Sequence, residues 1–171
     1  MKLFEDMILK DSIEINVAPE QVFDFLLQLV DDASYRAWHP GDHVAFRWLK
    51  GNPWKDGSIG YAEEYFHGKL HKFKFRVSKV VANRWVSYAP VSRLLRMFFP
   101  ESSFHIEPSG KGCIFTGQVH LRIGRIAKTF AKRRLEQGLT SVRKHMKEEG
   151  ENLKRILERA ALQGRSIENI S

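Results

Sequence analysis

The sequence predicts an α+β domain in which an antiparallel sheet wraps around a long closing helix. Six segments between residues 43 and 123 alternate in polarity or are rich in aromatic and β-branched residues, which is typical of consecutive antiparallel strands. From about Ile126 to about Leu162, apolar residues recur at helical spacing. We therefore predict a curved sheet of about six to seven strands around this C-terminal helix, with two short helices after the first strand.

The first strand and the two short helices are predicted from the start of the chain. Residues 7–18 end in an alternating apolar pattern that leads into Pro19, so we expect a strand followed at once by a helix. Pro19 and Glu20 suit a first helical turn, because that turn does not use every amide hydrogen and its positive dipole end favours a carboxylate. The predicted buried side consists of Val22, Phe23, Leu26, Leu27 and Val30. A second short helix is expected to end at Pro40.

The remaining strands are predicted from residues 43–51, 57–66, 69–81, 83–91, 104–108 and 113–123. His67 and Gly68 fit a two-residue hairpin turn, which places Glu64 opposite His71. Because side chains alternate along a strand, one face is predicted to hold Ala62, Glu64, Phe66, His71, Phe73, Phe75 and Val77. The charged residues Lys72, Lys74 and Arg76 then lie on the other face, so we expect Glu64 and His71 to point towards the closing helix.

Length and composition predict a single intracellular domain. The 171 residues suit one domain over 1–162, followed by a polar C-terminal tail over 163–171. The lone Cys113 rules out an intrachain disulfide, and no apolar run approaches the ~18 residues of a membrane span. We expect a cytoplasmic protein without stable membrane insertion, and the sequence does not predict an oligomeric state.

The positive charge of the chain does not come with a nucleic-acid-binding motif. The net charge is +8, and basic residues cluster in the last helix, on the side away from its apolar stripe. Such a distribution is typical of a solvated helix face. Helix-turn-helix, ribonucleoprotein and zinc-finger spacings are absent from the sequence, so we expect no nucleic-acid partner.

His145 and Glu149 interrupt the apolar stripe of the closing helix. They lie one turn apart on the face that otherwise carries residues such as Leu139, Val142 and Leu153. Burying a carboxylate is costly unless a charge, a metal ion or hydrogen bonds compensate it. A histidine in such a place is more often a hydrogen-bonded core residue than a metal ligand, and a buried glutamate can pair with an arginine.

His145 and Glu149 are expected to converge with Glu64 and His71. This convergence favours a metal site over the simpler explanations. Two histidines and two carboxylates form a nitrogen and oxygen set that suits zinc, with manganese or iron as less favoured divalent ions. Two carboxylates also balance the charge of a divalent cation. We therefore predict that these groups meet between the sheet and the closing helix.

Three motifs in order resemble those of a known enzyme family. They are WHPGDH at residues 38–43, Glu64 in GSIGYAEE, and the HxxxE of the closing helix. Together they resemble the zinc-dependent diacetylphloroglucinol and phloretin hydrolases, within the START and birch-pollen-allergen-like helix-grip superfamily. The resemblance implies a helix-grip fold with a ligand cavity, and Zn²⁺ bound by His39, Glu64, His145 and Glu149. It also implies cleavage of the carbon–carbon bond between an acyl group and a polyhydroxylated aromatic ring.

Under this hypothesis the substrate is a small aromatic or apolar molecule, and its leaving ring carbon requires a proton. The predicted proton donors are His71, beside Glu64, and His105, whose side of the sheet the sequence does not determine. His43 is expected to hold Asp42 or His39 in place.

The alternative hypothesis is a non-catalytic binding or carrier protein for an apolar small molecule or lipid. Its cavity would be lined by Phe73, Phe75, Trp85, Tyr88, Phe104 and Phe115. In that case no metal is bound, and His145 and Glu149 pair with each other or with Arg47.

Overall fold

A seven-stranded antiparallel sheet organises the chain in the computed structural model, which describes residues 3–125 and 130–168. Its strands are β1 (Phe4–Ile15), β2 (His43–Lys50), β3 (Ile59–Phe66), β4 (Lys69–Val81), β5 (Trp85–Pro90), β6 (Glu101–Ser109) and β7 (Gly112–Gly124). The helices among these residues are α1 (Pro19–Leu27), α2 (Asp32–Trp38), α3 (Arg93–Phe98) and α4 (Lys132–Glu168).

The order of strands across the sheet is β1-β7-β6-β5-β4-β3-β2, and every neighbouring pair is antiparallel. Helix α4 packs against β1 and β7, while α1 and α2 cover the other part of the concave face. The predicted α+β architecture is therefore confirmed, with a curved sheet around a long C-terminal helix and two short helices after the first strand.

The β3–β4 hairpin has the predicted register. Glu64 pairs with His71 across the two strands, and Phe66 pairs with Lys69. His67 and Gly68 both have positive φ angles, 53° and 70°, as a two-residue turn with the twist of the flanking strands requires. Glu64 is buried, whereas its cross-strand partner His71 is exposed, although the two lie at the same distance from the turn.

Two predicted boundaries differ from the structure. Helix α1 ends at Leu27, so Leu27 and Val30 are exposed and Leu29 occupies the core in their place. Helix α4 continues through Glu168, so residues 163–168 of the predicted polar tail are helical. This extension includes glutamine, arginine and glutamate, which favour the helix even without burial. The predicted helix start near Ile126 lies outside the described residues.

The core under the concave face is mainly aromatic. Trp38, Phe46, Trp54, Phe75 and Phe104 are all buried and contact one another in edge-to-face, tilted or stacked pairs. Such pairs add to the free energy gained from burial of their large apolar surfaces. Among the helices of 3–125 and 130–168, none combines the length and the apolar character needed to cross a membrane.

Candidate metal centre

A buried cluster of histidines and carboxylates lies where α2, β2, β3 and α4 meet. His43 is the first residue of β2 and pairs with Glu64 of β3 across the sheet. His145 and Glu149 face them from one turn of α4. The cluster lies between helix and sheet, as expected for Glu64, His145 and Glu149.

The donor atoms of this cluster lie close to one another. His43 Nε2 is 3.2 Å from Glu149 Oε1, and His145 Nε2 is 3.6 Å from the same oxygen. His145 Nε2 is also 3.9 Å from Glu64 Oε2. The four side chains are at most 13% exposed, so water contributes little to their solvation.

Hydrogen bonds from neighbouring groups orient both imidazole rings. His145 Nδ1 is 3.1 Å from Asp42 Oδ2, and His43 Nδ1 is 3.0 Å from the backbone carbonyl oxygen of Tyr35. A carboxylate and a carbonyl only accept hydrogen bonds, so the Nδ1 atom of each histidine carries a proton. In a neutral ring the Nε2 atom then has a free lone pair, and in both residues that atom faces the cluster.

Tyr35 orients the Glu64 carboxylate. Its buried hydroxyl donates a hydrogen bond to Glu64 Oε1, which leaves Oε2 of the same carboxylate towards His145. The Tyr35 ring also stacks on His43, with ring centroids 3.7 Å apart and planes 5° from parallel. One residue of α2 therefore holds the side chains of both His43 and Glu64.

Separations within this donor set suit a zinc ion, and the ligand atoms of His43, Glu64 and His145 all lie within 4.8 Å of one another. Zinc bonds of about 2.0–2.2 Å to nitrogen and oxygen place tetrahedral ligand atoms about 3.3–3.6 Å apart. The three cluster separations of 3.2, 3.6 and 3.9 Å lie close to this range. His43 Nε2 is moreover buried and makes no hydrogen bond of good geometry within the described residues, which leaves its lone pair available for a cation.

His39 lies beside this cluster, and with Asp42 and His145 it forms a second group whose ligand atoms lie within 4.8 Å of one another. Its Nδ1 atom accepts a hydrogen bond from the Asp42 amide at 3.1 Å, and its Nε2 atom lies 3.1 Å from Glu148 Oε2. Both ring nitrogens therefore have partners. The ring stacks on His145, with centroids 4.9 Å apart, so His39 contacts the cluster from outside while His43 presents the free nitrogen.

The electrostatics of the cluster couple His145 to Glu149. Burial acts to lower the pKa of His145, but the nearby charges of Glu149 and Glu64 and the contact with Asp42 raise it to about 10. Burial acts to raise the pKa of Glu149, but His145 and His43 outweigh it and lower that pKa to about 2. In the absence of a metal ion, the two groups thus form a buried ion pair at neutral pH.

The two predicted proton donors lie in different places. His71 is exposed at the end of the hairpin, and the Phe66 ring lies between it and the cluster, 5.8 Å from the ring of His71 and 4.7 Å from that of His145. His105 is on the opposite face of the sheet, because it follows the inward-facing Phe104 in β6. There it hydrogen-bonds to Ser103 and contacts Trp85, so it cannot protonate a molecule bound at the cluster.

A small cavity adjoins the cluster at Glu64 and Glu149. Its volume is about 40 Å³, and it is lined by Leu29, Tyr35, Trp38, Phe46, Trp54, Ala62, Glu64, Phe73, Phe75, Tyr88, Phe104 and Glu149. This volume holds one or a few water molecules. Of the residues predicted to line a carrier cavity, four line this one: Phe73, Phe75, Tyr88 and Phe104. Trp85 instead contacts His105 on the other face of the sheet, and Phe115 stacks on Phe104 without lining the cavity.

Sequence reasoning did not predict the roles of Tyr35, Asp42 and Glu148. Asp42 and His43 lie in the WHPGDH segment, and the rule that metal-bound histidines donate to a carboxylate could have identified Asp42 as the partner of His145. Tyr35 and Glu148 carry no comparable sequence signal, because their roles depend on how α2 meets β3 and α4.

Comparisons with known proteins agree on the fold. A family model described as polyketide cyclase/dehydrase and lipid transport matches residues 7–151, and no curated protein matches the sequence significantly. The Zhui aromatase/cyclase from Streptomyces sp. R1128 is 10% identical, with a TM-score of 0.72 over 92% of this chain and 96% of that one. Norcoclaurine synthase from Thalictrum flavum, solved with dopamine and hydroxybenzaldehyde, is 10% identical, with a TM-score of 0.67 over 92% and 89%.

A further solved structure, Ara h 8.0201, is 11% identical, with a TM-score of 0.63 over 91% of this chain and 99% of that one. At such identities the likeness establishes the shared helix-grip fold alone. The more specific resemblance to zinc-dependent hydrolases stays a prediction.

Proposed function

Because the chain belongs to the polyketide cyclase/dehydrase and lipid transport family, we propose that it acts within the helix-grip cavity as a zinc-dependent hydrolase. The proposed reaction cleaves the carbon–carbon bond between the acyl group and the ring of an acylated polyphenol or a related small aromatic ketone. Water supplies a hydroxyl group to the acyl carbon and a proton to the ring carbon, so the products are a carboxylic acid and the deacylated ring.

The convergence of four atoms that can each bind a metal ion carries this proposal. Nε2 of His43 and of His145 and one oxygen each of Glu64 and Glu149 point at one another in the interior. Acceptors that face each other at these distances repel unless a proton or a metal ion lies between them. The protein also fixes the outward nitrogen of each ring with its own hydrogen-bond acceptor, which is the usual arrangement around a metal-binding histidine.

We assign the metal-binding role to His43, Glu64, His145 and Glu149. This set keeps three residues of the four that the family resemblance implies, and it replaces His39 by His43. When bound, zinc would supply Lewis-acid polarisation of a carbonyl group and activation of water near neutral pH.

The surrounding side chains have separate roles in this proposal. Asp42 holds the proton on His145 Nδ1, and Tyr35 holds the Glu64 carboxylate through its hydroxyl group. The Tyr35 hydroxyl stays protonated, because burial and the charge of Glu64 hold its pKa well above the usual value. His71, exposed beside Phe66 near the cluster, is the candidate donor of the proton to the leaving ring carbon.

The cavity lining suits an aromatic substrate. Phe73, Phe75, Tyr88 and Phe104 line the wall, and aromatic side chains stack favourably on aromatic rings. A volume of about 40 Å³ is too small for such a ring, so substrate entry requires some of these side chains to move. Phe73 and Tyr88 are the partly exposed members of the lining and the candidates for that movement.

The same aromatic lining favours a second candidate function, a carrier for an apolar small molecule or lipid. In that case His145 and Glu149 form a structural ion pair, as their opposite pKa shifts allow without a metal. The two functions differ in whether the cluster binds metal and whether it supports turnover.

Elemental analysis of the purified protein distinguishes them. The hydrolase proposal predicts one zinc per chain, lost in both His145→Ala and Glu64→Ala and retained in the matched control His105→Ala on the other face of the sheet. It also predicts a melting temperature that rises with added zinc, because an ion that binds only the folded state stabilises it. Metal-free protein whose melting temperature does not change with zinc would refute the hydrolase. Hydrolysis of acylated polyphenols is then assayed separately.

A further inference from the structure

One end of the molecule exposes an unusual number of apolar side chains. Helix α3 connects β5 to β6, and none of its residues is buried. Leu94 is 66% exposed, and Leu3 and Phe130 are exposed to 72% and 86%. We define the end patch as Leu3, Leu94, Leu95, Met97, Phe98, Phe99 and Phe130, all of which are exposed.

Contacts bring α3, the start of β1 and the end of β7 to one end of the molecule. Phe98 of α3 contacts Phe4 at the start of β1, with ring centroids 6.1 Å apart. Phe4 pairs with Gly124 at the end of β7, and the Arg125 amide donates a hydrogen bond to the Leu3 carbonyl at 3.2 Å. Phe130 follows five residues later, just before α4. A group of exposed large apolar side chains at one end of a molecule often marks an interaction site.

The charge around the end patch indicates what binds there. Among the described residues, 91–100, 124–125 and 130–134 contain six Lys and Arg residues and no Asp or Glu, whereas the whole chain has a net charge of +8. Most of the excess positive charge is therefore in the segments that carry every patch residue except Leu3. Arg93 and Arg96 alternate with the exposed Leu94, Leu95 and Met97 on one short helix.

We propose that the end patch docks the protein on the surface of an anionic lipid bilayer. Interfacial membrane binding combines apolar side chains that enter the acyl boundary with basic residues that contact anionic headgroups. A second copy of this chain is a poor occupant, because two copies of the same positively charged end would repel each other. Nucleic acid is also a poor occupant, because the most exposed side chains here are leucine and phenylalanine. This inference goes beyond the proposed function and does not depend on it.

Flotation of the full-length protein with lipid vesicles tests the proposal. We expect binding to vesicles of phosphatidylcholine mixed with phosphatidylserine, and weak binding to phosphatidylcholine alone. Binding should fall as salt is raised, because exposed charges are screened. In the double variant Arg93→Gln/Arg96→Gln, the affinity for these vesicles should fall by more than about tenfold. Each basic residue near an anionic surface contributes roughly a factor of five to the affinity.

The apolar contribution is tested with Leu94→Ser/Phe130→Ser, which should also lose most of the binding. Matched controls lie at the other end of the sheet: Leu162→Ser, on an equally exposed leucine near the end of α4, and Lys50→Gln/Lys55→Gln. All these positions are exposed, so circular dichroism should show folded protein in each case. The controls should bind like the unaltered protein.

Absence of binding to phosphatidylserine vesicles, or binding that both patch variants retain, would overturn the proposal. The proposal would also be overturned if light scattering showed that the unaltered protein self-associates and that the patch variants do not. The patch would then be an interface between proteins.

Discussion

The Nε2 atom of His43 lies 3.2 Å from Oε1 of Glu149 in the interior, and no residue of the described ranges makes a well-formed hydrogen bond to that nitrogen. The opposite nitrogen of the ring donates to the Tyr35 carbonyl oxygen, so a neutral His43 turns its lone pair towards the carboxylate. A cation between the two groups would satisfy both of them. For this reason we propose His43, and not His39, as a metal-binding residue of the cluster.

His43→Ala is predicted to abolish stoichiometric zinc binding, because it removes a ligand atom. His39→Ala should retain one zinc per chain with an affinity reduced about 10- to 100-fold, as expected for a residue that supports the ligands from outside. Elemental analysis gives the stoichiometry, and competition with a chromophoric chelator gives the affinity. Loss of zinc in His39→Ala with retention in His43→Ala would reverse the assignment.

Asp42→Asn is predicted to weaken zinc binding about 10-fold or more, because the negative charge that makes His145 a stronger ligand is lost. An asparagine still offers an acceptor oxygen to His145 Nδ1, so the protein should fold and keep the same ring orientation. Chelator competition measures the effect, with Asp56→Asn, in the β2–β3 connection, as the matched control. Equal affinities of the two variants would exclude a role for Asp42.

Tyr35→Phe is predicted to lower both stability and zinc affinity. The substitution leaves one oxygen of the buried Glu64 carboxylate without its donor, which costs about 1–3 kcal/mol in the free energy of unfolding. Urea denaturation measures the stability and chelator competition the affinity. Tyr61→Phe, which removes a partly exposed hydroxyl bonded to Glu63, is the control and should lower neither appreciably. An unchanged Tyr35→Phe protein would show that Glu64 is held by other groups.

Zinc affinity is predicted to rise with pH. In the metal-free protein the charges of Glu149 and Glu64 outweigh burial and hold the pKa of His145 at about 10. At neutral pH a proton must leave Nε2 before the metal binds, so the affinity should increase about tenfold per pH unit as pH rises from about 7 to about 9. Calorimetry in buffers of different ionisation enthalpy counts the released protons. Binding that releases no proton would contradict the assigned role of His145.

The stability of the metal-free protein should depend on pH through the same ion pair. The pKa of His145 is raised from 6.5 to about 10, so its stabilisation is complete below pH 6.5 and is lost as pH rises through 10. The pKa of Glu149 is lowered from 4.5 to about 2, so its contribution is complete above pH 4.5 and is lost as pH falls through 2. The pair therefore contributes most between pH 4.5 and 6.5.

Urea denaturation in the presence of a chelator tests this window by comparing the unaltered protein with His145→Gln. The difference in unfolding free energy should be largest near pH 5–6 and should shrink as pH approaches 10. A difference that is constant over this range would mean that the pair is not an ion pair in the folded protein.

Local patterns predicted most of the fold. The β3–β4 register follows from a two-residue turn and from strict alternation, both of which are properties of adjacent residues. The face of His105 was not predictable, because both faces of β6 carry partly or fully buried residues and its parity does not distinguish them. The end of α4 was misplaced because the polar composition of residues 163–168 does not reveal that they continue the helix.

By itself, the sequence determined that Glu64, His145 and Glu149 lie on the faces that helix and sheet turn towards each other, since spacing along a helix or strand sets those directions. Only the tertiary structure decided which of His39 and His43 presents a free nitrogen to them. In the backbone turn at 39–43, Nδ1 of His39 accepts a hydrogen bond from the Asp42 amide, and Nε2 of His39 contacts Glu148. Nε2 of His43 points inwards, towards Glu149. That choice depends on hydrogen bonds between segments more than a hundred residues apart, which no local pattern encodes.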